Sequence, residues 1–536
     1  MSSSQLSARV PSSWDNVFTT YRLNFYAPGQ NQTPEEYLGE FSGTTRHEHG
    51  LETGGSAEPV AETVARFMES SSGFTNGPSS IHQSEVVTSF CRHAQSDVLW
   101  VEGGEGRVNR PVALVYGWEN KPPSRPRQHS SPAVPLTHLQ LLNKLCEKRF
   151  VDQNRYSDEG PQSSESAIEM DADRRLIYIN NLDPLVISVL AKTTSCLETP
   201  VIQRTVLKYL TAQTSFEVHI APRGFRTFSL ELNVSFFCLR RSTNPSRSDQ
   251  RLRWDGNGHL RATLPSPRNP TSDVLSSAEN LYNIYETQIS IAVTGVDHWR
   301  WTAWGFVDTW FETHDAVSEY YEGEGSGAQP DPLAAGQIDT NPPERYPREY
   351  FLKVFEIRIG IVAKEWNYIL HVLQQEVQEV GANPLFTSPQ RSFENKEGRS
   401  KIRKLATWNG DMTKLIGTLL KSLSRTLVAW DVFQKTDIGY FLYDDNDESP
   451  SQYSRPDQLL PSLRIIEKTF LNLHITLEEL EQVKLSLDEL GRGLARGERT
   501  YSTFVQQRTG EHIKLLTWVT IVSFLPPKAH DTSAAD

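Results

Sequence analysis

From Arg175 onward, stretches of apolar residues with a period of two give way to stretches with a period near 3.6. Arg175-Leu-Ile-Tyr-Ile reads as a short buried strand that stops at Asn180-Asn181-Leu182-Asp183-Pro184. Asp183 is suited to cap a helix and Pro184 to open its first turn. Leu185, Val189 and Leu190 follow at helical spacing, which predicts a helix packed on that strand. Phe216–Ile220 and Phe228–Phe236 alternate apolar and polar residues, predicting strands with one face buried and one exposed. Ala221-Pro222-Arg223-Gly224 between them carries turn chemistry, so an antiparallel hairpin is expected. Ile289–Val293 repeats the alternation and runs through Gly295 into Asp297–Phe311, which holds four tryptophans within twelve residues. The sheet is expected to end there.

Beyond a stretch rich in Gly, Pro and Asp, the period is helical throughout. Phe351, Val354, Phe355, Ile361, Trp366, Ile369 and Val377 predict a helix over Tyr350–Val380 that ends at Gly381. Ile402, Leu405, Met412, Ile416, Leu419, Leu423, Leu427 and Trp430 lie three or four apart, or at their sum, and make one apolar face of a second long helix. Leu463, Ile466, Phe470, Leu473, Leu477, Leu480, Val483, Leu487, Leu490 and Leu494 are spaced 3-4-3-4-3-3-4-3-4, a coiled-coil-type seam with one slip. A helix from Leu459 to Leu525 would be about 100 Å long at ~1.5 Å per residue. Gly491, Gly493 and Gly497 weaken it and mark the place for a bend.

The pattern predicts an α+β protein, with a mixed α/β domain followed by long stalk-like helices. Residues 1–130 are expected to be mostly loop, 131–322 a mixed α/β domain with a surface insertion at 241–274, and 323–345 a linker. Residues 346–512 form the long-helix stalk, 513–527 an apolar membrane-type segment and 528–536 a polar tail. At 536 residues, several domains are required.

The net charge of −12 and a pI near 5.7 argue against a general nucleic-acid binder, which needs a surplus of Lys and Arg. Cys91, Cys146, Cys196 and Cys238 are far apart with no CxxC pair, so neither a disulfide framework nor a zinc site is signalled and a reducing compartment is expected. The start, Met1-Ser-Ser-Ser-Gln-Leu, lacks the pattern of a secretory signal, which implies a cytosolic start.

Candidate chemistry is sparse. Asp444, Asp445, Asp447 and Glu448 crowd carboxylates into one loop, a donor set that suits Mg²⁺ or Ca²⁺, although a solvated acidic loop is the simpler account. His47-Glu48-His49 has no helical zinc spacing, and Gly103-Gly-Glu-Gly106 lacks the Lys-Ser/Thr of a phosphate loop. Trp299, Trp301, Trp304 and Trp310 are core material before they are a binding surface. Arg492, Arg496 and Arg499 form a basic face that is either solvated or set against lipid phosphates. No catalytic or cofactor-binding residues are nominated, and no enzyme is expected.

After Val505-Gln-Gln-Arg-Thr-Gly-Glu-His, the sequence becomes Ile513-Lys-Leu-Leu-Thr-Trp-Val-Thr-Ile-Val-Ser-Phe-Leu-Pro-Pro, and charge vanishes for thirteen residues after Lys514. Leu515, Leu516, Trp518, Val519, Ile521, Val522, Phe524 and Leu525 are the apolar positions. The string Arg508–Pro526 resembles the place where the stalk helix of CorA-like metal-ion transport proteins, the divergent fungal ones above all, enters its first transmembrane helix. The resemblance extends upstream through Trp299-Arg-Trp-Thr-Ala-Trp-Gly-Phe-Val-Asp and the unit from Asp171 to Arg240.

That resemblance implies an α/β cytosolic domain, stalk helices assembled into a homo-oligomeric funnel, and divalent ions such as Mg²⁺ acting at cytosolic interfaces. The family's Gly-Met-Asn pore signature has no match, since Met1, Met68, Met170 and Met412 stand in other contexts. Eleven apolar residues span only about 17 Å as helix, about half a hydrocarbon core. The expectation is therefore a protein at the cytosolic face of a membrane that keeps the regulatory and oligomerising part, truncated at the first transmembrane helix, with the Leu463–Leu487 seam joining its copies. The alternative is a soluble oligomeric scaffold that uses the same seam, with residues 513–525 buried against its own core.

Overall fold

The computed structural model describes residues 13–19, 59–69, 78–92, 110–118, 134–146, 174–195, 197–221, 225–241, 248–265, 282–312, 320, 329–340, 346–382, 396–442 and 459–523. In chain order the helices are α1 (Val60–Glu69), α2 (Pro78–Cys91), α3 (His138–Cys146), α4 (Pro184–Thr193), α5 (Thr199–Leu210), α6 (Pro347–Gly381), α7 (Lys396–Thr436) and α8 (Leu459–Ser523). The strands are β1 (Ala113–Trp118), β2 (Arg174–Asn180), β3 (Ser215–Ile220), β4 (Phe228–Arg241), β5 (Thr263–Pro265), β6 (Tyr282–Gly295) and β7 (Trp301–Val307). The fold is mixed α/β with long C-terminal helices, as the periodicity predicts.

The strands form one seven-stranded sheet in the order β1-β2-β7-β6-β4-β3, with β5 paired to β6. The β2–β7 pair is parallel and the others are antiparallel. The β3–β4 hairpin pairs Phe216 with Leu232 and Glu217 with Glu231. Asp183 caps α4 as predicted: its Oδ1 accepts the Val186 N–H at 2.9 Å, and Pro184 opens the helix.

Among the described residues the sheet does end, in chain order, within the Trp-rich segment, but that segment itself supplies a strand. Trp301–Val307 is β7, an inner strand between β2 and β6, buried along its whole length. A strand covered on both faces reads as a continuous apolar run and loses the alternation that marks a half-exposed one. Trp304 and Phe306 face the core built with α1–α5, whereas Trp301 packs on Tyr350 of α6 at a ring distance of 5.1 Å.

Polar-looking chain is buried in other stretches as well. Within residues 1–130, α1 places Val60, Val64 and Phe67 into that core and α2 adds Val87, Phe90 and Cys91. Ten- and fourteen-residue helices set among Ser and Gly carry too short a period to stand out. In the expected surface insertion, Asp249, Leu260 and Arg261 are buried, and β5 joins the sheet. In the expected linker, Asp331, Leu333 and Ala334 are buried; Asp331 accepts the Leu333 N–H at 2.8 Å, and Arg358 donates to the Leu333 carbonyl at 2.6 Å. The polar face of β4 is also covered, so Ser229, Glu231, Asn233 and Ser235 are buried along with their apolar neighbours.

The chain divides into two compact units. The first comprises the described residues of Met1–Pro265, Glu279–Ile369 and Lys421–Leu477. It holds the sheet, with α1–α5 packed on one face. On the opposite face Phe216 meets Phe355, Phe433 and Phe470, and Phe470 stacks on Trp430 at 4.3 Å. The second takes the described residues of Leu370–Leu420 and Glu478–Asp536, and is helical. There Gly491 lies against Asn409, where an added Cβ would sit 2.8 Å from Nδ2.

Candidate functional site

Residues nominated from the sequence have different fates. Asp444, Asp445, Asp447 and Glu448 lie outside the described residues, as do His47–His49 and Gly103–Gly106. Of the seam, Leu463, Ile466, Phe470, Leu473, Leu480 and Leu487 are buried within the chain itself, and Leu477 is half-buried. At the end of α8 the reverse holds: Leu515, Leu516, Trp518, Val519 and Ile521 are each between 58% and 69% exposed. Phe524, Leu525 and the side chain of Val522 lie outside the described residues. Among the described residues, no helix is long and apolar enough to cross a membrane.

The structure also assembles a charged cluster not nominated from the sequence. Helix α5 carries Arg204 and Lys208 four residues apart, hence on one face, above the β3–β4 hairpin. The register sets Glu217 opposite Glu231 and His219 opposite Ser229, which brings these side chains to that face. Lys208 donates to Glu217 and to Glu231, both at 2.9 Å. Arg204 donates to Glu231 at 2.7 Å and to Ser229 at 3.1 Å, and His219 Nε2 lies 2.8 Å from Glu217. The signal was present in the sequence: alternation puts residues 217, 219, 229 and 231 on one face of a predicted hairpin. Its partners on α5 are set by tertiary packing alone.

Burial pushes the Glu231 carboxyl up, but the charges of Arg204, Lys208 and His219 outweigh it and hold the group below its ordinary range. Burial likewise works against Glu217, yet the His219 hydrogen bond and the Lys208 charge bring it down to about 2. The ligand atoms of Glu217, His219 and Glu231 lie within 4.8 Å of one another, close enough to share a metal ion. Two features oppose a resident Mg²⁺: an imidazole is a poor donor for that hard cation, and the Lys208 ammonium already bridges both carboxylates. With two carboxylates set against Lys208 and Arg204, the cluster is balanced, and it clamps α5 to the hairpin.

A second polar network fixes the segment before β5. Asp308, fully buried, accepts from Arg251 and Arg261, each at 2.6 Å, from the Gln288 N–H at 2.9 Å, and from the Tyr209 hydroxyl. Burial raises its carboxyl, and the two guanidiniums reverse the direction. Asp249 completes the charge balance through Arg251 at 2.8 Å. Neither network leaves a nucleophile beside a free base in an open cleft, the arrangement that nucleophilic catalysis requires.

No protein-family model matches the chain, and no relative of curated description matches its sequence. Among solved structures it is similar to the full-length CmaX protein, at 10% identity and a TM-score of 0.34, over 81% of this chain and 91% of that one. It is also similar to the ZntB cytoplasmic domain of Vibrio parahaemolyticus, at 12% identity and a TM-score of 0.25, over 62% of this chain and 93% of that one.

Proposed function

We propose that this chain is a CorA-like, transport-related protein: the cytosolic regulatory and oligomerising portion of a divalent metal-ion transporter, held at a membrane by the end of α8. One observation carries this proposal. The 65-residue α8 buries its seam within the protomer and then continues into a stretch where Ile513, Leu515, Leu516, Trp518, Val519 and Ile521 all face outward. Apolar side chains exposed around a whole helix have no aqueous solution of their own and call for lipid or a protein cover. The sequence resemblance over Arg508–Pro526 supports lipid, as do the exposed cations Arg508 and Lys514 beside the apolar stretch, which suit a phosphate-bearing surface.

Self-association is part of this proposal, with one adjustment. Because the seam is filled in-chain, contacts between copies would use outward positions such as Leu471 and Ile475 of α8 or Val428 and Val432 of α7. A scaffold binding a partner through the seam would first have to unpack it. The ion is assigned only by class, a divalent cation such as Mg²⁺.

The test is sedimentation velocity on the full chain in mild detergent, with and without millimolar Mg²⁺. A homo-oligomer whose sedimentation coefficient changes with Mg²⁺ is expected. A monomer indifferent to the ion would overturn the proposal.

A further inference from the structure

Residues 13–19 pack on the sheet through their aromatic side chains. Their only regular structure is a four-residue 3-10 turn, Asn16–Thr19. Trp14 and Phe18, four apart, both reach Phe228 of β4, with ring centroids 5.2 Å away in each case. Trp14 stacks on His298 at 6.4 Å and lies under the Arg348 guanidinium at 4.8 Å. His298 donates its backbone N–H to the Phe18 carbonyl at 3.0 Å, and Arg226 pairs with Asp15. Tyr346, 5.3 Å from the His298 ring, closes the far side.

These contacts have the form of linear-motif recognition: two aromatic anchors, one charge pair and one backbone hydrogen bond, all from seven consecutive residues. The fit is also imperfect in a way that favours release. Trp14 Nε1 and His298 Nε2 are buried with no hydrogen-bond partner among the described residues, and each loses solvation that undocking restores.

We propose that the surface formed by Phe228, His298, Tyr346 and Arg348, with Arg226 at its rim, is a recognition site for a partner peptide of the pattern Trp-acidic-x-x-Phe, and that residues 13–19 are its competitor in cis. The aromatic anchors give affinity, and the Arg226 pair sets the charge of the residue after Trp. This site is independent of the membrane proposal and would stand if that failed.

The test uses the full chain carrying Trp14→Ala and Phe18→Ala, with its fold checked by circular dichroism, and a fluorescent peptide covering residues 11–21. Saturable binding is expected in anisotropy, at least tenfold tighter than to the unsubstituted chain, whose own segment competes. Adding Arg226→Glu should weaken binding several-fold, and a peptide with Asp15→Arg should restore it. Absence of saturable binding, or equal binding by a peptide with both aromatics replaced by Ala, would overturn the proposal. If the double variant does not fold, hydrogen exchange on the unsubstituted chain decides: the His298 amide should exchange well before those of β6, and equal protection would overturn reversible docking.

Discussion

Helix α8 is a single helix with two unlike surfaces. From Leu459 to Leu494 its apolar residues recur at three and four, and those on the seam are buried, Leu477 and Leu490 only in part, with Phe470 stacked on Trp430 and ringed by Phe216 and Phe355. From Phe504 to Ile521 the large apolar residues sit on all sides and are exposed. The seam of the first stretch is accounted for by the chain's own packing. The second is not, since the free energy of burying those side chains, about 1.5–3 kcal/mol each when complete, is still unrealised in the protomer. Amphipathic spacing thus indicates an internal partner, and the loss of spacing without loss of hydrophobicity indicates an external one.

Substitutions should separate the two stretches cleanly, most strongly on the buried side. Phe470→Ala removes the ring that stacks on Trp430 and should lower unfolding free energy by about 3–5 kcal/mol, read from urea denaturation. Asp308→Ala leaves the buried Arg261 without its carboxylate partner and Arg251 with Asp249 alone, and a loss of about 3–5 kcal/mol is expected in the same assay.

A smaller effect is expected at the α5 clamp, where acid should do what substitution does. Glu217 is held at about 2, below its ordinary 4.5. Its folded state therefore binds fewer protons than the unfolded chain, so its contribution is complete above about pH 4.5 and is lost as pH falls toward 2. Denaturation midpoints measured between pH 6 and 3 should fall, and Lys208→Met, which removes one of the groups holding Glu217 down, should flatten that fall. At the far end of the scale, Leu516→Ser with Trp518→Ser should change stability by less than about 0.5 kcal/mol, because neither side chain is buried.

How much of this was legible in the sequence follows the same division. Asp183-Pro184 announced a helix start because a cap is a local device, and the β3–β4 hairpin was visible in its alternation and turn. The three long helices were legible because period accumulates with length. Strand β7 was hidden by burial on both faces, and α1 and α2 by brevity. The buried Arg251, Arg261 and Asp308 could not be read at all, because charged residues 47 and 57 positions apart in sequence carry no sign that they will neutralise one another. The clamp was half legible: the carboxylates follow from the hairpin, the cations from a helix whose placement only the tertiary fold supplies.

The most direct test of the account is flotation of the purified full chain with phospholipid vesicles, beside a variant carrying Leu516→Glu and Val519→Glu. The account predicts that the unsubstituted chain rises with the vesicles while the variant stays at the bottom of the gradient with an unchanged melting temperature. An unsubstituted chain that remains at the bottom, or a variant that floats equally well, would contradict it.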